Sequence, residues 1–255
     1  MFRVSDFVLR IFYLLISAEP VISDLAHRRS RIAGKDQVFK VEINFNRGSV
    51  INTKKKINDK YHRILEAAVK VFAEKGFFHS TVSQIAREAG VADGTIYLYF
   101  KNKDDILVQF FSNKTKQIFA LFREEVDKAD NTVDKLRNLI RVHLEEFQND
   151  RNMAVVYQIE THRNIRLVEE QIKKMSKMYL DIVSEIVEQG QEEGIIRKDL
   201  YLGLVKRFIL GAVDEVINTW LHSGGKYDLV SMADPLVELF LKGIGNIGET
   251  DVTSQ

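Results

Sequence analysis

From Ile57 onward, apolar residues recur every three or four positions, the period at which one face of an α-helix is buried. Tyr61, Ile64, Leu65, Ala68, Val71 and Phe72 make one such stripe. Gly76, able to take the left-handed conformation that closes a helix, predicts its end, giving a first helix over Ile57–Lys75. Thr81-Val-Ser-Gln84 has capping-box form, a Thr hydroxyl at the N-cap and Gln three residues on, and opens a short helix to about Ala89, which Gly90 ends. A second short helix follows over about Ala92–Tyr99. Asn102, with Asp104 and Asp105 behind it, predicts the cap and acidic first turn of a long helix to about Lys128. Five further helices are expected at about Thr132–Asn149, Met153–Thr161, Ile165–Gln189, Leu200–Ser223 and Leu229–Ile247, with Gly190, Gly194, Gly224 and Gly225 supplying turns. Only Pro20 and Pro235 occur, so little interrupts the helical period and the fold class is all-α.

Residues 1–52 differ in character. Phe7–Ala18 (FVLRIFYLLISA) is apolar enough to read as a signal peptide or anchor, but Arg10 interrupts it, it is too short to span a bilayer, and no small-residue cleavage site follows. Val21–Asn52 has no sustained period and no clear caps. Arg47-Gly48-Ser49 before Val50 is encodable as AGG-GGN-NNN-GTG, a purine-rich ribosome-binding stretch ahead of a GTG start; on that reading translation begins near Val50. The expected organisation is an extension outside the fold over residues 1–52, a head over 53–102, a helical body over 103–248 and a tail over 249–255.

Composition narrows the chemistry. Hydrophobic residues make up 45% of the 255, enough to bury a core. The absence of cysteine removes disulfides and thiolate metal sites, in keeping with a reducing cytoplasm. The net charge of +1 hides an asymmetry: Lys54–Lys103 holds ten Lys/Arg against five Asp/Glu, whereas Asp104–Gln255 holds nineteen against twenty-six. A basic head on an acidic body suits a polyanion-binding module. Enzyme signatures are missing: no Glu-x-x-His pair, no H-E-x-x-H, no G-x-S-x-G and no phosphate-cradling glycine loop. His143 with Glu145 and Glu146, and Glu160 with His162, read as solvated helix faces rather than acid–base sets.

The run Thr81–Tyr99, TVSQIAREAGVADGTIYLY, has the grammar of a helix-turn-helix. Val82, Ile85, Ala86, Val91 and Ile96 are apolar where two steeply crossing helices must pack, Ala86 is small at the crossing, and Gly90 sits at the turn. The stretch about Ile57–Ile106, closing on Gly94-Thr-Ile-Tyr-Leu-Tyr-Phe-Lys-Asn-Lys103, resembles the TetR family of transcriptional regulators. That resemblance implies a three-helix DNA-binding domain and a helical ligand-binding and dimerisation domain. It assigns double-stranded operator DNA as partner and counts Thr81, the cap of the motif's first helix, among the DNA-binding residues. Thr95, Tyr97, Tyr99 and Lys103 would contact phosphates, and Ser83, Gln84, Asp93, Gly94 and Leu98 would read bases. An acid repels phosphate, so Asp93 is expected either to accept from a cytosine amino group or, preferably, to cap the recognition helix.

The same resemblance implies a homodimer through the last two long helices. Leu202, Val205, Phe208, Ile209, Ala212, Val213, Val216, Ile217 and Trp220 are apolar over more than one stripe around Gly211, and Leu236, Leu239, Phe240 and Gly243 offer a partner face. Within the family, Gly90–Leu107 and Lys226-Tyr-Asp-Leu229 look like the Gram-positive repressors of fatty-acid degradation, whose effector is a long-chain acyl-CoA; another lipophilic molecule, such as a drug, is the alternative. No cofactor is implied. An apolar lining is expected from Phe111, Ile118, Phe122, Phe147, Met153, Tyr157, Met175, Met178, Tyr179 and Ile182. His162, Arg163 and Arg166, with Lys173, Lys174 and Lys177, would meet the coenzyme's phosphates at the mouth.

Overall fold

The computed structural model describes the backbone of residues 47–163 and 165–245, and the side chains of residues 59–158 and 166–245. The Phe7–Ala18 run, most of the 1–52 extension and the 249–255 tail lie outside the described residues. So do the side chains of Glu160, His162 and Arg163.

The chain folds into helices throughout: α1 (Arg47–Lys75), α2 (Val82–Glu88), α3 (Asp93–Ile96), α4 (Lys103–Asp127), α5 (Thr132–Asn149), α6 (Arg151–Arg163), α7 (Ile165–Glu192), α8 (Leu202–His222), a 3₁₀ turn (Val230–Met232) and α9 (Ala233–Ile244). No strand occurs among the described residues, only an isolated bridge between Ile196 and Gly245. Asn102 caps its helix as the sequence predicts, and Asn131, which the sequence reading did not single out, caps the next. Asn102 Oδ1 accepts from the Asp105 amide at 2.8 Å, and Asn131 Oδ1 from the Asp134 amide at 2.9 Å. Gly76 closes α1 at φ +76°.

Three expectations need correction. The first helix begins at Arg47 rather than Ile57: no proline interrupts residues 47–56, and Lys54–Lys56 are good helix formers. Gly190 makes no turn: it lies inside α7, where an added Cβ would come within 2.7 Å of the Ile196 and Thr132 side chains, so its smallness permits close packing against the start of α5. The last helix is divided into the 3₁₀ turn and α9, with Pro235 in the first turn of α9, where its missing N–H is not needed.

The head is α1–α3. Ile64, Ala68, Val71 and Phe72 of α1 pack with Ile85, Ala86 and Ile96, all buried. In the body α4 lies against α5 and α7, and α8 against α7 and α9. Burying a large apolar side chain such as Phe122 or Phe240 contributes about 1.5–3 kcal/mol, so packing rather than helix propensity holds these layers. Among the described residues no helix is long and apolar enough to cross a membrane.

Candidate nucleic-acid interface and internal cavity

The turn between α2 and α3 is set by Gly90 at φ +62°, a conformation that costs any residue with a Cβ. Ile85, Ala86 and Ile96 fill the crossing, while Val82 and Val91 are half-buried against it. Thr81 and Gln84 satisfy each other as a capping box: the Gln84 amide donates to Thr81 Oγ1 at 3.2 Å, and the Thr81 amide to Gln84 Oε1 at 3.0 Å. Gln84 is thereby tied to the backbone as well as facing outward.

Asp93 departs from expectation. The N-cap of α3 is Ala92, which offers no side chain; Asp93 is the first helical residue, and its carboxylate accepts the Ser83 hydroxyl across the turn. Ser83 and Asp93 therefore clasp α2 to α3. Helical geometry ends at Ile96, after which the Leu98 and Tyr99 amides bond to carbonyls three residues back. That tightening pushes Tyr97 and Leu98 outward, 58% and 81% exposed. Tyr99 and Thr95 are half-buried and Gly94 is exposed. Phe100 is core, stacked on Tyr61 with centroids 5.2 Å apart.

Lys103 has a task the sequence does not disclose. Its ammonium donates to the Phe77 carbonyl at 2.6 Å and the Ser80 carbonyl at 2.9 Å and sits 4.4 Å above the Phe77 ring. It ties the loop between α1 and α2 to the start of α4. Any phosphate must share the ammonium with these carbonyls. Lys101, two residues earlier, is exposed.

A polar chain also escaped the sequence reading. The Tyr61 hydroxyl donates to Gln109 Oε1 at 2.7 Å and accepts from Asn113 Nδ2 at 2.7 Å. Gln109 Nε2 donates to Asp105 Oδ1 at 3.0 Å, and Asp105 Oδ2 accepts the Lys101 amide at 2.8 Å. The chain joins α1 and α4 to the end of the helix-turn-helix. Only a three-dimensional arrangement brings Tyr61 to residues about fifty positions away.

The body holds a partly open cavity of about 60 Å³ between α4, α5, α6, α7 and α8. Of the expected lining, Phe111, Ile118, Phe122, Phe147, Met153, Tyr157, Met175 and Tyr179 reach it. Met178 and Ile182 do not: Ile182 is buried in the core and Met178 packs half-buried against it. Arg166 is exposed and away from the cavity, and Lys173 and Lys177 pair with Glu169 and Asp181 of their own helix, so the described part of the basic cluster is a solvated helix face. The cation that reaches the cavity is Lys114, paired with Asp150 at 3.2 Å. Lys114 and Phe110 also line a larger cleft of about 320 Å³ between α1, α4 and the start of α6.

His143 corrects another expectation. It is buried, four residues from both Leu139 and Phe147 on the inner face of α5, and its ring meets Phe122, Phe147 and Tyr179 at 5.2–5.3 Å. Burial lowers its pKa to about 3. Tyr157 and Tyr179 are pushed above the usual phenol range, first by burial and then by nearby Asp214, and burial raises Asp214 itself to about 7. Asp214 was not singled out by the sequence reading, since it is one of several polar positions along α8, beside Glu215.

Comparison with known proteins places this geometry. Residues 64–110 match the family described as bacterial regulatory proteins, tetR family, and residues 111–243 match the YsiA-like protein, C-terminal region. The chain is 40% identical to the fatty acid metabolism regulator protein of Bacillus subtilis over 187 residues, covering 73% of this chain and 96% of that one. It superposes on the fatty acid degradation regulator FadR from Bacillus halodurans with a TM-score of 0.69 at 36% identity, covering 72% of this chain and 95% of that one. On FadR from Bacillus subtilis, solved in complex with stearoyl-CoA, the TM-score is 0.67 at 40% identity, with 72% and 99% covered. An exposed helix-turn-helix on a helical body with an apolar cavity, matched across both halves by these relatives, makes the chain a member of the TetR family of bacterial transcriptional regulators.

Proposed function

We propose that the protein represses fatty-acid-degradation genes as a homodimer on a palindromic operator and that a long-chain acyl-CoA releases it. The observation that carries this reading is the reach of α4: its first residue anchors the helix-turn-helix through Lys103, and its middle lines the apolar cavity with Phe111, Ile118 and Phe122. A ligand that displaces α4 acts on both. The two similar regulators of fatty-acid metabolism, one solved with stearoyl-CoA, support an acyl thioester as that ligand.

On DNA, α3 enters the major groove with Leu98, Gly94 and Ser83 near base edges, while Tyr97, Thr95, Tyr99 and Lys101 meet phosphate beside the shared Lys103. Tyr201, Leu204, Phe208 and Leu239 stand exposed on α8, its cap and α9, and an added Cβ at Gly211 or Gly243 would meet nothing in this chain. This face pairs two copies. Val205, Ile209, Val213, Ile217, Trp220, Leu236 and Phe240 are already spent on the core of one chain. Gene regulation by operator binding puts the protein in the cytoplasm, without catalysis.

The test is titration of the protein on a fatty-acid-gene promoter fragment with palmitoyl-CoA, free palmitate and coenzyme A. Release by the thioester alone is expected. No release by any of the three would point to another lipophilic effector.

A further inference from the structure

The cavity is mainly apolar; besides Lys114, Thr115, Tyr157 and Ser176 its lining carries His143 Nδ1, Tyr179 Oη and Asp214 Oδ1 along one wall, all three shut off from solvent and lacking a hydrogen-bond partner. Buried polar atoms are normally satisfied, and three orphans lining one small cavity form a built recognition surface. They come from three helices, α5, α7 and α8, so no local backbone demand accounts for their meeting. The Phe122, His143 and Tyr179 rings lie mutually 5.2–5.9 Å apart and hold the wall rigid.

We propose that this wall is the seat of the ligand's thioester carbonyl, with the Tyr179 hydroxyl and the Asp214 carboxyl as its hydrogen-bond partners. The inference rests on the acyl-thioester reading above. The chemistry of the three groups selects a neutral acceptor. A free carboxylate would carry a full charge out of water onto a wall whose own groups, His143, Tyr179 and protonated Asp214, are neutral. A cation is not part of an acyl chain. A carbonyl oxygen accepts from a phenol and, when Asp214 holds its proton, from the acid as well. Burial favours that protonated form. Seating the carbonyl here sets the start of the alkyl chain and points it along Phe111, Ile118 and Phe122. Tyr179 and Asp214 thus provide the discrimination between thioester and free acid that the exposed lysines of α7 do not.

The unaltered full-length chain decides the matter by comparison of palmitoyl-CoA with S-hexadecyl-CoA, a thioether of equal chain length without the carbonyl. The thioether is expected to bind and to release promoter DNA at least tenfold less well, since it gives up the bonds from both Tyr179 and Asp214 and one buried hydrogen bond is worth about tenfold. Tyr179→Phe should weaken palmitoyl-CoA by a similar factor and leave the thioether unchanged, a split that a general packing defect would not produce. Equal affinity of the wild type for both ligands overturns the carbonyl seat while leaving the proposed function standing, and the wall is then a hydrated one. Failure of both ligands to bind overturns the proposed function and the carbonyl seat with it.

Discussion

Tyr61 on α1 donates its hydroxyl hydrogen to Gln109 on α4 at 2.7 Å, so the first helix of the head is fastened to the helix that carries the body's cavity. Tyr61→Phe keeps the stack on Phe100 and removes the hydroxyl from between Gln109 and Asn113. A loss of about 1 kcal/mol in urea-denaturation stability is expected, together with weaker operator binding. An unchanged midpoint would show that the chain of hydrogen bonds is immaterial to docking.

Lys101 and Lys103 should separate when each is changed to Ala. Lys103→Ala removes two charge-assisted bonds to carbonyls and is expected to cost about 1–3 kcal/mol of stability as well as DNA affinity. Lys101→Ala should leave stability within about 0.5 kcal/mol, since the side chain is exposed, and lower the slope of log affinity against log salt by about one phosphate contact. Equal loss of stability in the two variants would overturn the division of labour.

Gly90→Ala meets no neighbouring atom but forces a Cβ into a left-handed backbone at φ +62°. The expected cost is about 1–2 kcal/mol, seen as a lower thermal midpoint, with DNA affinity falling further because the angle between α2 and α3 is disturbed. A neutral result would mean that the turn relaxes freely.

Two buried groups give stability opposite dependences on pH. Asp214 is raised from 3.8 to about 7, so the native chain holds its proton where the unfolded chain has released it. That contribution is complete below about pH 4 and is lost as pH rises through 7. His143 is lowered from 6.5 to about 3, so its contribution is present above 6.5 and is lost as pH falls toward 3. Asp214→Asn removes the first effect only. The variant should gain on the parent by up to about 1.4 kcal/mol per pH unit between pH 4 and 7 in urea titrations. Parallel stability profiles for the two proteins would contradict this.

Leu239 is 66% exposed on α9. Leu239→Lys should leave the helical content of the single chain intact and weaken self-association, measured by sedimentation across a concentration series. A dimer of undiminished strength would place the interface elsewhere.

Much of the fold is written locally. Asn102, Thr81 and Gly76 announce helix ends because a cap or a left-handed turn depends on a few neighbouring residues. The apolar half of the cavity was legible for a similar reason, since Phe111, Ile118 and Phe122 fall on one stripe of α4. His143 was misread because Glu145 and Glu146 drew attention to charge, although its spacing from Leu139 and Phe147 already placed it inward. The roles of Lys103 and Asp214 were hidden for another reason: each is defined by partners or cavity walls on distant helices, which no period along the chain reports. Arg166 and its neighbours illustrate the converse, a cluster in sequence that helical geometry turns toward solvent.

The internal cavity, at about 60 Å³, is well below the roughly 300–1,000 Å³ typical of ligand pockets. Under the proposed function a sixteen-carbon chain does not fit the cavity in this form, so its binding requires an expanded one. Observed affinity is then the intrinsic affinity reduced by the fraction of molecules that are expanded. Under that reading the speed of derepression follows how often α4 and α7 part rather than how often the ligand collides. Large-to-small substitutions in the cavity, such as Met175→Ala, should then shorten that waiting time, trading resting stability for a faster answer to the same concentration of ligand.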